Sequence, residues 1–286
     1  MEYFLHIVIM INIYIILVLG LNLLVGYTNL LSLCHAGFYG IGAYLSVLAL
    51  MKFHWTLLPS LMFAVLFTGL FAYFVGKVSI RLKGDYFILV TLGFQMIVFS
   101  VLYNWVSLTR GPYGIPGIPR PSLFGVWEVD GIVGFLILST VLSVLVIRFF
   151  TVLTRSPFGR VLKGIRDDEI GVISLGRDVV SFKVQAFVIG SAISAVSGFL
   201  YATYVTYIDP TSFTLDESIF IISAVIIGGV GTVRGSVVGA IFVIVLPEVL
   251  RFVGMPDSVA ANMRPVSYTH LRAHETRHDL VCRLLL

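Results

Sequence analysis

Charge is the scarcest commodity in this sequence. Of its 286 residues only 12% are Asp, Glu, Lys or Arg, while 58% are hydrophobic. A water-soluble domain carries roughly 25% charged residues, so this chain has too little polar surface to wrap a core in water. Cysteine is nearly absent: Cys34 and Cys282 stand far apart, and neither a disulfide framework nor a metal-ligand spacing is legible in them. The Walker A pattern Gly-x-x-x-x-Gly-Lys-Ser/Thr is missing, which argues against ATP hydrolysis by this chain itself. The net charge of +4 calls for no nucleic-acid partner, because Lys and Arg of membrane proteins gather in cytoplasmic loops. No basic stretch precedes the first apolar run, from Phe4 to about Val25. That run outlasts the h-region of a cleavable signal and reads as a retained spanning helix.

What is abundant is apolar sequence in blocks of bilayer length, about 20 residues each. Blocks near 4–26, 30–51, 56–76, 86–106, 131–154, 184–206, 217–233 and 236–253 predict an all-α, polytopic helical bundle of about eight spans. Backbone polar groups in lipid must be satisfied within the segment, which favours helices. Two blocks are ambiguous. The 30–51 block is Gly-rich and holds His35, and 217–233 ends in Gly228-Gly229-Val230-Gly231; either is open to being broken, re-entrant or buried in the bundle. Basic residues orient the rest. Lys77, Arg81 and Lys83 follow the third span, and Arg155, Arg160, Lys163, Arg166, Arg177 and Lys183 fill 155–183. Both links belong in the cytoplasm by the positive-inside rule. Segments 107–130, with Glu128 and Asp130, and 207–216, with Asp209 and Asp216, then face outward, as does the N-terminus. Small residues at helical spacing, Gly37, Gly40 and Gly42, then Gly190, Ser194 and Gly198, suit close helix packing.

Residues 266–286 break with everything before them. The string Val-Ser-Tyr-Thr-His-Leu-Arg-Ala-His-Glu-Thr, then Asp-Leu-Val-Cys-Arg-Leu-Leu-Leu after a short interval, resembles one reading frame of a transposase-based sequencing adapter. It is excluded from functional reasoning as a scar, leaving 1–265 as the membrane domain with its native frame expected to stop at about Pro265. His270 and His274 fall in this tail and support no metal site.

The polar insertion 155–183 is the most informative segment. Gly159–Ser174 reads as a short amphipathic helix with Val161, Leu162, Ile165, Ile170 and Ile173 as apolar contacts, and Leu175-Gly176 as its stop, glycine taking the left-handed conformation at low cost. Arg160, Lys163 and Arg166 precede Asp167, Asp168 and Glu169. Such a helix can lie on lipid headgroups, pack on its own bundle or dock into a soluble partner. The acidic residues weigh against the anionic lipid surface.

The order Arg-x-x-Lys-x-Ile-Arg-Asp-Asp-Glu, then Ser-Leu-Gly, Lys183 and Ala186-Phe187, resembles the coupling loop of branched-chain amino acid importer permeases, most nearly the second of their two permease subunits. The resemblance covers residues 12–253. Gly26–Leu33 with His35-Ala36 and Gly40–Tyr44, Gly84–Phe87 with Thr91–Phe94, Thr109–Ile115 with Arg110 in place of a usual Gly, and Ile227–Thr232 followed by Gly235–Ala240 are similar to the family's other blocks, in order. The resemblance implies an ATP-binding-cassette importer of the bacterial cytoplasmic (inner) membrane. Two related permeases form a heterodimeric pore, two cytoplasmic ATPase subunits use ATP and Mg, and a periplasmic or lipid-anchored binding protein delivers substrate. This subunit then binds no cofactor, and Arg160, Lys163, Arg166, Asp167, Asp168 and Glu169 carry ATPase coupling. The family also leads one to expect a further helix after Arg251, absent from this sequence.

Among the remaining polar positions, Asn22, His35 and Gln95 either bond between helices or line a path. Gly228, Gly229 and Gly231 serve packing or a hinge. Asp85 suits an N-cap for the helix starting near Tyr86, and Glu248 has no assigned role. Importers of urea, short amides or nucleosides share the coupling loop and stay open as alternatives. An intramembrane enzyme would need a polar catalytic set at membrane depth, and a channel a carbonyl filter or charged ring. Neither is evident in the spans.

Overall fold

A computed structural model describes residues 2–82, 84–120, 122–123, 127–128 and 131–252. Lys83, Asp130, the adapter-like tail 266–286 and anything beyond residue 252 lie outside the described residues. The chain runs as helices α1 (Glu2–Thr28), α2 (His35–Lys52), α3 (Leu57–Ser79), α4 (Asp85–Asn104), α5 (Val106–Thr109), α6 (Gly131–Arg155), α7 (Pro157–Asp167), α8 (Glu169–Ser174), α9 (Val179–Val205), α10 (Leu215–Gly228) and α11 (Val233–Phe252). Five of these, α1, α3, α4, α6 and α9, are long and apolar enough to cross a bilayer. The 236–253 block forms the 20-residue α11. The protein is a multi-pass helical membrane protein.

The two blocks left open on sequence, 30–51 and 217–233, are the ones that the structure interrupts. Block 217–233 yields only the 14 residues of α10, about 21 Å at 1.5 Å per residue, against a hydrocarbon core about 30 Å thick. Glycine ends it: Gly229 has φ 103° and Gly231 φ 79°, values that a side chain would oppose. Before it, Thr206 to Thr214 is a non-helical run apart from one 3₁₀ turn at Pro210–Phe213. Likewise block 30–51 becomes helical only at His35, after a non-helical approach from Asn29 to Cys34.

Hydrogen bonds set the depth at which these two helices begin. Gln95 is the eleventh residue of the 20-residue α4, so it sits halfway along that span. Its Oε1 accepts from the Gly37 backbone N–H at 2.6 Å, and its Nε2 donates to the Phe213 carbonyl at 2.8 Å. The N-terminal ends of α2 and α10 therefore meet at the middle of the bundle, where the Ala36 N–H also donates to Ser218 Oγ at 3.1 Å.

Around this meeting point, α1 is the central post. Of its most apolar 18-residue stretch, 78% is buried, as suits a helix that is hydrophobic all round. It crosses α9 at Gly20 and Gly190, where a Cβ on Gly190 would lie 2.5 Å from the Gly20 carbonyl oxygen. The α2–α9 crossing is as tight, with a Cβ on Gly198 falling 2.4 Å from the Tyr39 carbonyl oxygen. Small residues let backbones approach in lipid, which is the role expected of both positions. The outer helices turn large apolar side chains outward: Met62, Leu66 and Phe74 on α3, Leu89 and Ile97 on α4, Ile137, Val144 and Leu145 on α6.

The two basic links share one end of the bundle, since Lys77 and Arg81 border a recess with Asp178, Ser181 and Gln185 at the start of α9. By the positive-inside rule that end is cytoplasmic. At the opposite end two-residue strands β1 (Ile115–Pro116) and β4 (Tyr207–Ile208) pair antiparallel, tying the two outer loops together; β2 (Ser122–Leu123) and β3 (Trp127–Glu128) form a second small ribbon. Arg110, where the resembling family has Gly, adopts φ 60°, a left-handed conformation that favours glycine. One capping expectation fails. Gly84, with φ 57°, precedes α4 and Asp85 is its first helical residue, with no side-chain cap bond.

These crossings predict a contrast between two glycines. Gly198→Val forces α2 and α9 apart and should destabilise the protein by about 1–3 kcal/mol, the usual cost of overpacking. Gly93→Ala, on α4 with nothing within 4 Å of its added Cβ, should leave stability unchanged or raise it by up to about 1 kcal/mol. Thermal unfolding in detergent measures both; equal midpoints would contradict the crossing geometry.

Candidate coupling surface and buried polar contacts

The cytoplasmic insertion is two helices rather than the single one expected from Gly159 to Ser174. Ser156 caps α7, its Oγ accepting from Gly159 N at 3.4 Å, and Pro157 occupies the first turn where its missing N–H is harmless. Asp168 breaks the run. Its backbone is extended (φ −153°, ψ 94°), and its Oδ1 accepts from the Gly171 N–H at 3.0 Å, so it ends α7 and caps α8. Gly176, at φ 75°, follows the end of α8 in the expected stop.

The apolar residues of this insertion divide between two surfaces. Leu162 and Ile165 are buried against the bundle, whereas Ile170, Ile173 and Leu175 are exposed by 76%, 55% and 81%. Ile170 and Ile173, read from the sequence as apolar contacts of the same helix as Leu162 and Ile165, are turned outward by the break at Asp168, leaving Val172 as the inward residue of α8. The charges divide too. Arg166 Nε pairs with Asp167 at 2.9 Å on the exposed side, a pair worth little in water. Lys183 on α9 reaches Glu169 at 2.8 Å and holds α8 to the bundle. Arg160 Nη1 donates to the Arg155 carbonyl at 3.4 Å, staying within its own segment.

Inward, α7 fastens to two other elements. Lys163 Nζ stands 5.8 Å from the centre of the Tyr27 ring near the end of α1, and Arg166 Nη1 donates to the Gly26 carbonyl at 3.3 Å. The Arg166 guanidinium also fills the space that a side chain on Gly231 would need. Asn22, one turn deeper in α1, clamps the α10–α11 turn. Its Oδ1 accepts from the Gly231 N–H at 2.9 Å, and its Nδ2 donates to the Thr232 carbonyl at 3.0 Å and to Ser236 Oγ at 2.6 Å. Gly228 packs against the backbone of Gly235 and Gly239, closing α10 against α11. The structure thus brings Asn22, Gly228, Gly229 and Gly231 together with Arg166 at one junction.

His35 and Gln95 belong to a second group at mid-depth. His35 Nε2 and Ser194 Oγ are 2.6 Å apart in a buried contact between α2 and α9, and Gln95 is the bridge described above. Both are sealed inside this subunit, with 1% and 0% exposure. Beside them is a residue that the sequence reading passed over. Glu217, in the first turn of α10, is buried and accepts a hydrogen bond from Tyr14 Oη at 2.7 Å; Tyr14 is the thirteenth of the 27 residues of α1. An ionisable residue opening an apolar block is itself a signal at membrane depth. Among the described residues no group of three or more His, Cys, Asp or Glu side chains is arranged to hold a metal.

Residues 3–269 match the family model of the branched-chain amino acid transport system permease component. The chain belongs to this permease family. It is 36% identical, over 84% of its length, to the high-affinity branched-chain amino acid transport system permease protein LivM of Salmonella typhimurium. It is 31% identical, over 66% of its length, to a probable LivM of Methanocaldococcus jannaschii, and 25% identical, over 80%, to the permease protein LivH of Salmonella typhimurium. The chain spans 61% and 56% of the two LivM proteins. No solved structure matches the permease.

The Gln95 bridge generates a stability prediction. Gln95→Leu leaves the Gly37 N–H and the Phe213 carbonyl unpaired in a buried setting, each a loss of about 1–3 kcal/mol. Unfolding of the purified variant should show that loss, and an unchanged midpoint would mean that neither bond is held. Gln95→Glu, which keeps the acceptor for Gly37 and removes the donor to Phe213, should fall between Leu and wild type.

Proposed function

We propose that this chain is a membrane-spanning subunit of an ATP-binding-cassette importer that moves branched-chain amino acids across the bacterial cytoplasmic membrane. It works beside a second, related permease, with two ATPase subunits on the cytoplasmic face and a substrate-binding protein on the other. The ATP and magnesium chemistry belongs to the ATPases, and this subunit has no catalytic role. Its membership of the permease family and the names of its LivM and LivH relatives support the cargo and the pairing.

The observation that carries the coupling role is the outward apolar edge of α8. A cytoplasmic helix gains nothing in water from exposing Ile170, Ile173 and Leu175 together. A groove on a soluble partner is the setting that makes use of them. Behind that edge, α7 is fastened through Arg166 to the end of α1 and to the α10–α11 turn. In this reading, closure of the ATPases displaces α7–α8 as a unit. Asn22 carries the displacement to the turn, and α10 carries it to mid-depth, where its first residues touch α2 and α4.

Two measurements test the proposal. In proteoliposomes holding the full assembly, leucine uptake should depend on ATP and on the binding protein, and urea should not be taken up; ATP-driven uptake of urea without leucine would replace the cargo. Separately, Ile170→Glu with Leu175→Glu should cut co-purification of the ATPase subunits at least tenfold while membrane insertion is unchanged. Undiminished ATPase binding would sink the docking role of α8. Asp168→Lys is a poorer probe, since removing the α8 cap also costs about 1 kcal/mol of local helix stability.

A further inference from the structure

Sequence position alone puts Asp216 in an outer segment; the structure puts it deep in the bundle. Two bonds to separate helices fix the level. The Phe213 carbonyl accepts from Gln95 on α4, and Glu217 accepts from Tyr14 on α1. Along their own helices Gln95 and Tyr14 stand about 14 Å or more from either end, at 1.5 Å per residue. Asp216 lies between these anchored residues. Glu217 is turned inward and buried, whereas Asp216 is exposed, and among the described residues no ion pair or hydrogen bond engages its carboxylate. It heads a stripe of α10 made of Asp216, Ile219, Ser223, Ile226 and Val230, whose spacings of three and four put them on one face. Ile219, Ile226 and Val230 are exposed as well.

Lipid is the wrong neighbour for this face. A carboxylate in hydrocarbon costs several times what the helix dipole returns to an acid in a first turn. With a single methylene, Asp216 has no reach to the headgroups. Arg148, an exposed charge on α6, differs on both counts: it stands about 10 Å from the cytoplasmic end at Arg155 and has a stem long enough to snorkel. The backbone above Asp216 points the same way on separate grounds. From the β1–β4 ribbon at the outer end, the chain descends to the Gln95 level with one 3₁₀ turn and no regular helix. Non-helical backbone at membrane depth is tolerated only where protein or water covers it. On this descent Thr211 is exposed and donates to the half-buried Asp209. Polar groups therefore run from the outer end down to Asp216, and below it the stripe is mainly apolar as far as Val230.

We propose that the Asp216 face of α10 lines the water-filled path through the importer, and that the Asp216 carboxylate receives the ammonium of the amino acid passing along it. Water supplies the solvation that lipid denies this group. An exposed carboxylate pairs weakly with a cation, which suits a counter-charge that must let the cargo go. Ile219, Ile226 and Val230 then offer an aliphatic side chain a surface of its own kind, with no second charge on the stripe to retain the ammonium. The proposal rests on the importer reading for its cargo, and it adds the face of this subunit along which the cargo travels. A basic side chain of the second permease set against Asp216 is the competing occupant; the polar descent open from the outer end favours the path.

The test uses the full permease–ATPase assembly in lipid nanodiscs and a charged, water-soluble methanethiosulfonate reagent. Thr211→Cys, Asp216→Cys and Ile219→Cys are compared with Val141→Cys, an exposed position and the eleventh of the 25 residues of α6. Labelling is counted above that of the parent chain, which carries Cys34 and Cys282. The three positions on the path should react at least tenfold faster than position 141; equal rates in an assembly that imports leucine overturn the path and leave the importer reading intact. In Ile219→Cys, where Asp216 is present, millimolar leucine should slow labelling at least threefold, and 4-methylpentanoate, which lacks the ammonium, should not. Adding Asp216→Asn should abolish that protection and Asp216→Glu should keep part of it, a pattern that a merely structural role would not produce. Protection that is absent from the start, or that survives Asp216→Asn, overturns the ammonium contact. Loss of the second permease from purified Asp216→Asn assemblies overturns it in favour of a partner cation. Fast labelling with leucine protection in an assembly that imports no leucine supports the site while removing the importer reading.

Discussion

Two helices of this permease begin in the middle of the bundle, and the bilayer offers nothing to satisfy their first backbone groups. A helix start carries four N–H groups without intrahelical partners, and in hydrocarbon each one left unpaired costs several kcal/mol. Much else in the fold follows from that constraint. Ser218 and Gln95 supply acceptors to the Ala36 and Gly37 N–H groups at the start of α2, and Gln95 at the same time holds the Phe213 carbonyl just before α10. One side chain on an otherwise apolar helix therefore fixes where two others begin. The tight crossings of α9 with α1 and α2 then position Ser194 against His35.

Hydropathy made the long spans legible. The blocks that became α1, α3, α4, α6 and α9 are continuous apolar runs whose length and helical nature follow from the need to satisfy backbone groups within lipid. The breaks were not legible, and the reason is physical. Leu30, Leu31 and Leu33 are as apolar as any helical residues, yet they lie in a non-helical approach to α2, because tertiary partners such as Thr91, which accepts from the Leu33 N–H, replace intrahelical bonds. Composition cannot register such a substitution. Glu217 was legible in principle as an acid opening an apolar block, but assigning it to Tyr14 needs α1 and α10 side by side. In the insertion, periodicity identified the apolar positions, but only the Asp168 break distinguishes Leu162 and Ile165, which face the bundle, from Ile170 and Ile173, which do not.

The two polar clusters differ in what they connect. At the cytoplasmic end, Asn22, Gly231 and Arg166 join the end of α1, a turn and a surface helix, three elements far apart in sequence. At mid-depth, Gln95, Ser218 and Glu217 join α1, α2, α4 and α10. The 14-residue α10 has one end in each cluster, which makes it a short rigid link between the surface insertion and the centre of the bundle. Its glycine-rich C-terminal turn provides close approach to α1 and α11 as well as a change of direction.

The central position of α1 also bears on how the chain is made. It is made before the other described helices, is the most apolar of the five candidate spans, and is also the most buried of them. In the finished fold it touches mainly other helices and has little need of affinity for lipid. During synthesis it stands without α6, α9 or α11, which is where strong hydropathy matters. α2, with its glycines and His35, has no such self-sufficiency and completes its N-terminal bonds only after α4 and α10 have emerged. The order of emergence therefore separates residues selected for insertion from residues selected for assembly, and this helix has to satisfy both.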